Sequence, residues 1–222
     1  MPETRGIPFW SPEEVDAALA GTIAHLQEGG VLAYPTETVY GFGTMIDREA
    51  VERLVVLKKR PSAKPFLLLI SDTRMLARLG LDMTRAASML ASRHWPGPLT
   101  LVLTGGERRI PERLRGPEGG IGVRWTPHAG LQRLISALGD PITSTSANLP
   151  GQPPAVTAGE IVSQWRNDLT LGKIRLLDGG RLPPSSPSTV VDCTGEVPRV
   201  IRAGAIPAST LRESVPDLIG EL

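Results

Sequence analysis

The 222-residue chain holds one cysteine, Cys193. An internal disulfide framework and a cysteine-rich zinc site are therefore excluded. Cys193 lies in a β-rich run and reads as a small core hydrophobe. Aromatic residues are scarce, at 4%, which argues against a platform for stacking nucleobases. No sign of charge dominates: 24 Lys+Arg stand against 23 Asp+Glu, a net +1. No global field therefore draws the chain to nucleic acid, and only a local basic patch stays open. The longest purely apolar run, near Phe66–Ile70, is far too short to span a bilayer. The start, MPETRGIPFW, lacks a basic segment followed by an apolar one, so no signal peptide is expected. A cytoplasmic protein with no membrane contact is the expectation. Three common signatures are missing as well: the GxxxxGK(S/T) phosphate loop, the HExxH zinc helix and the GxSxG nucleophile elbow. The histidines, His25, His94 and His128, share no metal-ligand spacing, and His25 reads as a structural or surface residue.

What is present is a 41% hydrophobic content, enough for a core. Frequent Pro (21) and Gly (24) specify short elements and many turns. Ser11-Pro12-Glu13-Glu14 is a helix start with a capping box, and Val15, Leu19, Ile23 and Leu26 continue it at helical spacing. Gly29-Gly30 stops that helix, and Val31–Tyr34 reads as a buried strand. Asp47 is positioned to cap a second helix through about Lys59. Further helices are expected near 73–79, 84–93, 126–138 and 158–166. Strands are expected at 66–70, 99–103, 121–124, 141–145, 174–177, 189–193 and 197–202. A Gly/Pro/Arg-rich loop covers Gly105–Gly120, and the tail from Ser209 is weakly helical. Helices and strands interleave, yet some strand pairs have no helix between them. The expectation is an α/β domain with an open, twisted, mixed parallel/antiparallel sheet and flanking helices.

Chemistry-bearing residues gather at element ends: Thr36 and Thr38 after the first strand, Lys58, Lys59, Arg60 and Lys64 in KKRPSAKP, Arg124, Ser144 to Ser146 in TSTSAN, Ser188 and Thr189 in SPSTVVD, and Arg202. Ligands of open α/β sheets bind beyond the carboxyl ends of strands. Hydroxyls with Arg and Lys there suit an anionic, oxygen-rich ligand such as a nucleotide. Taken singly, each has a plainer reading: KKR as a solvated helix end complementing the dipole, the hydroxyls as turn or cap residues, Arg124 and Arg202 as surface ion-pair partners.

Taken in order, PTETVYGFG, KKRPSAKP, WPGPLTLVL, STSAN, PSTVVD and VIRAG resemble the YrdC-like family of threonylcarbamoyl-AMP synthases. The resemblance runs from about Ile23 to Ile206. It implies a catalytic domain over residues 1–206, a short tail over 207–222 and a single-domain member, with a ligand cavity lined by the sheet. It implies L-threonine binding by Thr36, Arg124, Ser144 and Ser188. It implies ATP binding by Arg60, Lys64, Ser146 and Arg202, with Lys58 added as the start of the K-x-R pattern and Gly120 and Pro154 as backbone contacts. Some members carry a threonine-contacting histidine where Leu69 stands here. The implied reaction joins L-threonine, bicarbonate and ATP into threonylcarbamoyl-adenylate and pyrophosphate. A separate complex then passes the threonylcarbamoyl group to an adenosine of certain tRNAs. Mg²⁺ is expected with ATP, with no organic cofactor and no protein nucleophile, because the substrate carbamate attacks and the protein aligns and neutralises. On this reading Pro35 turns the chain, Thr36 offers a hydroxyl, Gly41 and Gly43 let backbone approach ligand, and Glu37 orients a neighbouring backbone group or Lys. The alternative is a tRNA- or double-stranded-RNA-binding protein of the same fold. A carbamoylating domain of the hydrogenase-maturation type is disfavoured, since the chain lacks the cysteine-rich zinc modules.

Overall fold

In the computed structural model, residues 6–59 and 65–220 are described. The elements in chain order are β1 (Ile7–Pro8), α1 (Pro12–Gln27), β2 (Val31–Tyr34), β3 (Gly41–Gly43), α2 (Arg48–Lys58), β4 (Leu67–Ile70), α3 (Arg74–Leu79), β5 (Leu81–Asp82), α4 (Arg85–His94), β6 (Leu99–Gly105), β7 (Ile121–Trp125), α5 (Ala129–Leu138), β8 (Ile142–Ser146), α6 (Ala158–Thr170), β9 (Ile174–Asp178), β10 (Thr189–Asp192), β11 (Arg199–Arg202) and α7 (Ala208–Arg212). The capping chemistry works as the sequence implies. The Ser11 hydroxyl accepts from the Glu14 amide at 3.2 Å, and Glu14 Oε2 accepts from the Ser11 amide at 3.0 Å, two orphan donors satisfied reciprocally. The Asp47 carboxylate accepts from the Ala50 amide. One expected start shifts. Helix α5 is capped by His128, whose Nδ1 accepts from the Leu131 amide, and Thr126 turns its hydroxyl elsewhere.

The strands form one open, mixed sheet in the order β1-β9-β2-β3-β8-β4-β7-β6-β10-β11, with β5 pairing on β6. β2 with β9, β4 with β7 and β6 with β10 are parallel. β2 with β3, β3 with β8, β8 with β4 and β6 with β7 are antiparallel. Helix α5 packs against α1 and β4, α6 against β9, and α4 against β6. The core includes Phe9, Leu26, Leu54, Leu68, Ile70, Val123, Leu134 and Trp165. Cys193 is buried, and burial pushes its thiol up to about 12. The expected Gly105–Gly120 loop contains a single 3₁₀ turn at Glu112–Leu114. Arg115 closes it by donating to the Gly105 and Gly119 carbonyls, both at 3.0 Å. Beyond residue 206 the chain folds back onto β11: the Val200 amide donates to the Ile219 carbonyl, and Leu211, Val215 and Leu218 are buried. No helix among the described residues is long and apolar enough to cross a membrane.

The main departure from expectation is β3. Gly41–Gly43 is a strand in its own right, antiparallel to β2 on one side and β8 on the other. Gly41 lines the cavity described below. Gly43 does not: a Cβ there would lie 2.0 Å from the Thr143 carbonyl oxygen and 2.9 Å from the Tyr34 hydroxyl. It is glycine because β8 and Tyr34 press on it, with no ligand involved.

Candidate active site

Side chains alternate across a strand, and that period builds the site. Thr100 and Val102 of β6, Gly122 and Arg124 of β7, and Val190 and Asp192 of β10 all face one cavity of about 840 Å³. Registry sets them side by side: Val102 pairs with Gly122 and with Asp192, and Thr100 with Val190. The intervening Leu101, Val123 and Val191 are fully buried. The cavity therefore lies on a face of the sheet, where reasoning from strand ends alone looked to its carboxyl edge. Its volume falls in the usual range for small-molecule sites.

Thr36, Arg124, Ser144, Ser188, Gly120, Ser146, Pro154 and Arg202 line this cavity. Residues from six separate stretches of sequence thus meet in one space. Arg60 and Lys64 lie outside the described residues. Lys58 is described and sits elsewhere than the cavity wall. Its side chain is 6% exposed. The ammonium donates to the Ser146 carbonyl at 2.7 Å, to Asn148 Oδ1 at 2.9 Å and to the Asn148 carbonyl. Ser146 Oγ donates to the same Asn148 Oδ1 at 2.7 Å. A buried ammonium needs such acceptors, and here it pins the STSAN turn from behind. Asn148 ends the STSAN motif, yet its part as a bridge between Lys58 and Ser146 is a long-range contact that no local pattern signals.

Thr36 lies against the cavity, but its hydroxyl is committed to its own turn. It accepts from the Thr38 and Val39 amides at 3.1 and 3.2 Å and donates to the Val39 carbonyl at 2.7 Å. Any contact with a ligand would have to displace one of these bonds.

Arg202 donates through Nε and Nη2 to the Ser188 carbonyl, and through Nη2 to Ser188 Oγ at 2.9 Å. Ser188 Oγ in turn lies 2.9 Å from Thr100 Oγ1. Burial, and secondarily the nearby Arg124 charge, hold the Arg202 guanidinium below its usual range. Two cations sharing one partly buried space make a site that attracts anions.

Arg124 is 4% exposed, and its Nη1 lies 3.3 Å from Glu37 Oε1. Glu37 Oε2 accepts from Thr126 Oγ1 at 3.0 Å. Arg124 Nε has no hydrogen-bond partner among the described residues. A buried guanidinium donor left unmade costs stability, and the Arg124 side chain lines the cavity. Leu69, the position that the resemblance compares with a histidine, is fully buried and pairs in register with Arg124. It supplies no polar contact.

Three comparisons bear on this geometry. The Sua5/YciO/YrdC family model, described as telomere recombination, matches residues 24–204. A threonylcarbamoyl-AMP synthase of Pyrococcus abyssi (strain GE5 / Orsay) is 36% identical over 199 residues, which is 89% of this chain and 56% of that one. One of Chromohalobacter salexigens is 36% identical over 183 residues, 81% of this chain and 95% of that one. Among solved structures, P. abyssi Sua5 complexed with L-threonine superposes with a TM-score of 0.83 at 30% identity, over 97% of this chain and 62% of that chain. The chain thus spans little more than half of the Pyrococcus relative and nearly all of the Chromohalobacter one.

Proposed function

The chain belongs to the Sua5/YciO/YrdC family, and on that premise we propose that it is an L-threonylcarbamoyladenylate synthase. L-threonine, bicarbonate and ATP are its substrates, and threonylcarbamoyl-AMP and pyrophosphate its products. The observation that carries this reading is Arg124: a buried guanidinium whose Nε has no partner among the described residues, on the wall of a cavity also lined by Arg202, Ser144 and Ser188. A planar fork of this kind matches a carboxylate, and the P. abyssi relative has been solved with L-threonine.

In this reading Arg124 grips the threonine carboxylate, and Ser144, two strands away across β4, lies beside the amino acid. Threonine's nitrogen bonds to the carbon of bicarbonate as a C–O bond of bicarbonate breaks, and that oxygen leaves as water with a proton from the amine, giving the carbamate. A carbamate oxygen then bonds to the α-phosphorus as the bond to the pyrophosphate oxygen breaks. The nucleophile comes from the substrate, so the protein's task is alignment, charge neutralisation and exclusion of water, which protects a carbamate from loss of carbon dioxide. Arg202 neutralises phosphate, and its bonds to Ser188 join the nucleotide half of the site to the amino-acid half. Gly120 and Pro154 lie along the nucleotide's path. Arg60 and Lys64 are assigned to phosphate by resemblance alone.

Among the described residues no three His, Cys, Asp or Glu side chains are grouped to hold a metal. In the cavity Asp192 accepts from Thr194 Oγ1 at 2.7 Å and faces Arg199 at 3.6 Å. Mg²⁺ would enter with ATP and would offset triphosphate charge, with Asp192 and Glu118 the carboxylates of the cavity that could face it. The product is suited to a second enzyme that transfers the threonylcarbamoyl group to tRNA.

The test is substrate dependence. Pyrophosphate release is expected only when threonine and bicarbonate are both present, because the adenylated group is the carbamate. Steady release with threonine in bicarbonate-free buffer would mean simple amino-acid activation and would end this reading.

A further inference from the structure

We propose that Glu37 is a positioning residue: it holds the Arg124 guanidinium in the orientation that receives the substrate carboxylate. The inference rests on the reading of Arg124 as the carboxylate clamp. Glu37 is not among the residues lining the cavity, although its neighbours Thr36 and Thr38 are; its carboxylate meets Arg124, which is. Its two oxygens face different partners. Oε2 accepts from Thr126 Oγ1 at 3.0 Å, and Thr126 is fully buried. Thr126 Oγ1 also accepts from the His128 amide at 3.2 Å, which ties this small network to the start of α5. Oε1 lies 3.3 Å from Arg124 Nη1 as an ion pair without an aligned hydrogen bond. Glu37 is therefore fixed by Thr126 and attracts Arg124 by charge.

Charge is what the position requires. Arg124 and Arg202 carry like charge and line the same cavity. An arginine side chain has several rotatable bonds, so a buried guanidinium beside a like charge swings away unless something opposite holds it. Glu37 occupies one end of the fork, at Nη1, while the Arg124 side chain lines the cavity. It also neutralises the buried cation before substrate arrives, when an unpaired charge costs most. The opposing effect is repulsion between Glu37 and the substrate carboxylate. The two carboxylates would sit on different edges of one guanidinium, so the cation between them shields that repulsion, and orientation wins.

The experiment is a double-mutant cycle in the full chain, with calorimetry for threonine and for ATP. Glu37→Gln keeps a carbonyl for Thr126 and puts an NH₂ against Arg124, replacing attraction with donor facing donor. Threonine Kd is expected to rise about tenfold, with ATP Kd changed less than about threefold and kcat at saturating threonine changed less than about twofold. In the Arg124→Lys background the same change is expected to add less than about twofold, because interacting residues are not additive. Thr126→Val, which frees Glu37 without removing its charge, is expected to raise threonine Kd about threefold and serves if Glu37→Gln does not fold. Arg124→Lys with normal threonine binding would sink the clamp itself. A weakened Arg124→Lys alongside an unchanged or tightened Glu37→Gln overturns the positioning role, as do effects that simply multiply. Equal losses for threonine and ATP, with a fall in thermal stability, would mark Glu37 as merely structural and overturn it too.

Discussion

Replacing Arg124 with alanine is expected to raise the threonine KM about a hundredfold, equivalent to about 2.7 kcal/mol, and to leave ATP affinity within a few-fold. A bidentate carboxylate contact comprises two charged hydrogen bonds, each contributing roughly 1.5–3 kcal/mol. Water entering the vacated space recovers part of that sum, which is why the expected loss sits at its low end. Arg124→Lys keeps the charge but not the planar pair of donors, and is expected to raise KM about tenfold. The side chain is 4% exposed and stands on a central strand, so its backbone is held by neighbours on both sides whatever the side chain. Arg202 is engaged by Ser188 and does not depend on Arg124 for its place. Steady-state kinetics with each substrate varied in turn check the split. Normal threonine kinetics with damaged ATP binding would assign Arg124 to the nucleotide.

The second large effect concerns stability. Gly43→Ala is expected to destabilise the fold by about 3 kcal/mol or more, through overpacking and a broken buried hydrogen bond together. In thermal unfolding that corresponds to a Tm drop of roughly 6–12 °C for a chain of this size. Strand β3 is held on both sides, and Thr143 is paired to Thr44 by the Thr143 amide at 2.8 Å and the Thr44 amide at 2.9 Å. The added methyl would meet the Thr143 carbonyl oxygen, a backbone atom that also accepts from the Tyr34 hydroxyl at 3.1 Å. Relief requires moving β8 and leaving a buried hydroxyl without its acceptor. A Tm within about 2 °C of the parent would contradict the β3–β8 pairing.

Local signals carried much of the fold. Capping boxes, helical spacing and short apolar runs are nearest-neighbour chemistry, so α1, α2 and most strands of the mixed sheet were legible. β3 was not. Gly-Phe-Gly has little intrinsic strand preference, and its conformation is imposed by β8, about a hundred residues away in sequence. The α5 start differs from expectation for a related reason: the Thr126 hydroxyl accepts from the His128 amide and donates to a distant carboxylate, Glu37. In the site, the cavity-lining hydroxyls and arginines were legible because their motifs resemble a family in order. What each does there was not. Lys58 reads as a helix-end cation and is a buried support for Asn148. Glu37 reads as orienting a neighbouring backbone group or Lys, and instead faces Arg124 and Thr126. The second member of each pair is set by topology, and a linear pattern holds no record of it.

The central claim is that the chain builds a carbamate and adenylates it. Protein incubated with ATP, Mg²⁺, L-threonine and labelled bicarbonate is predicted to yield a labelled adenylate whose formation stops when threonine is left out. An adenylate that forms without label, or no adenylate at all from protein that binds RNA tightly and salt-dependently, would contradict it.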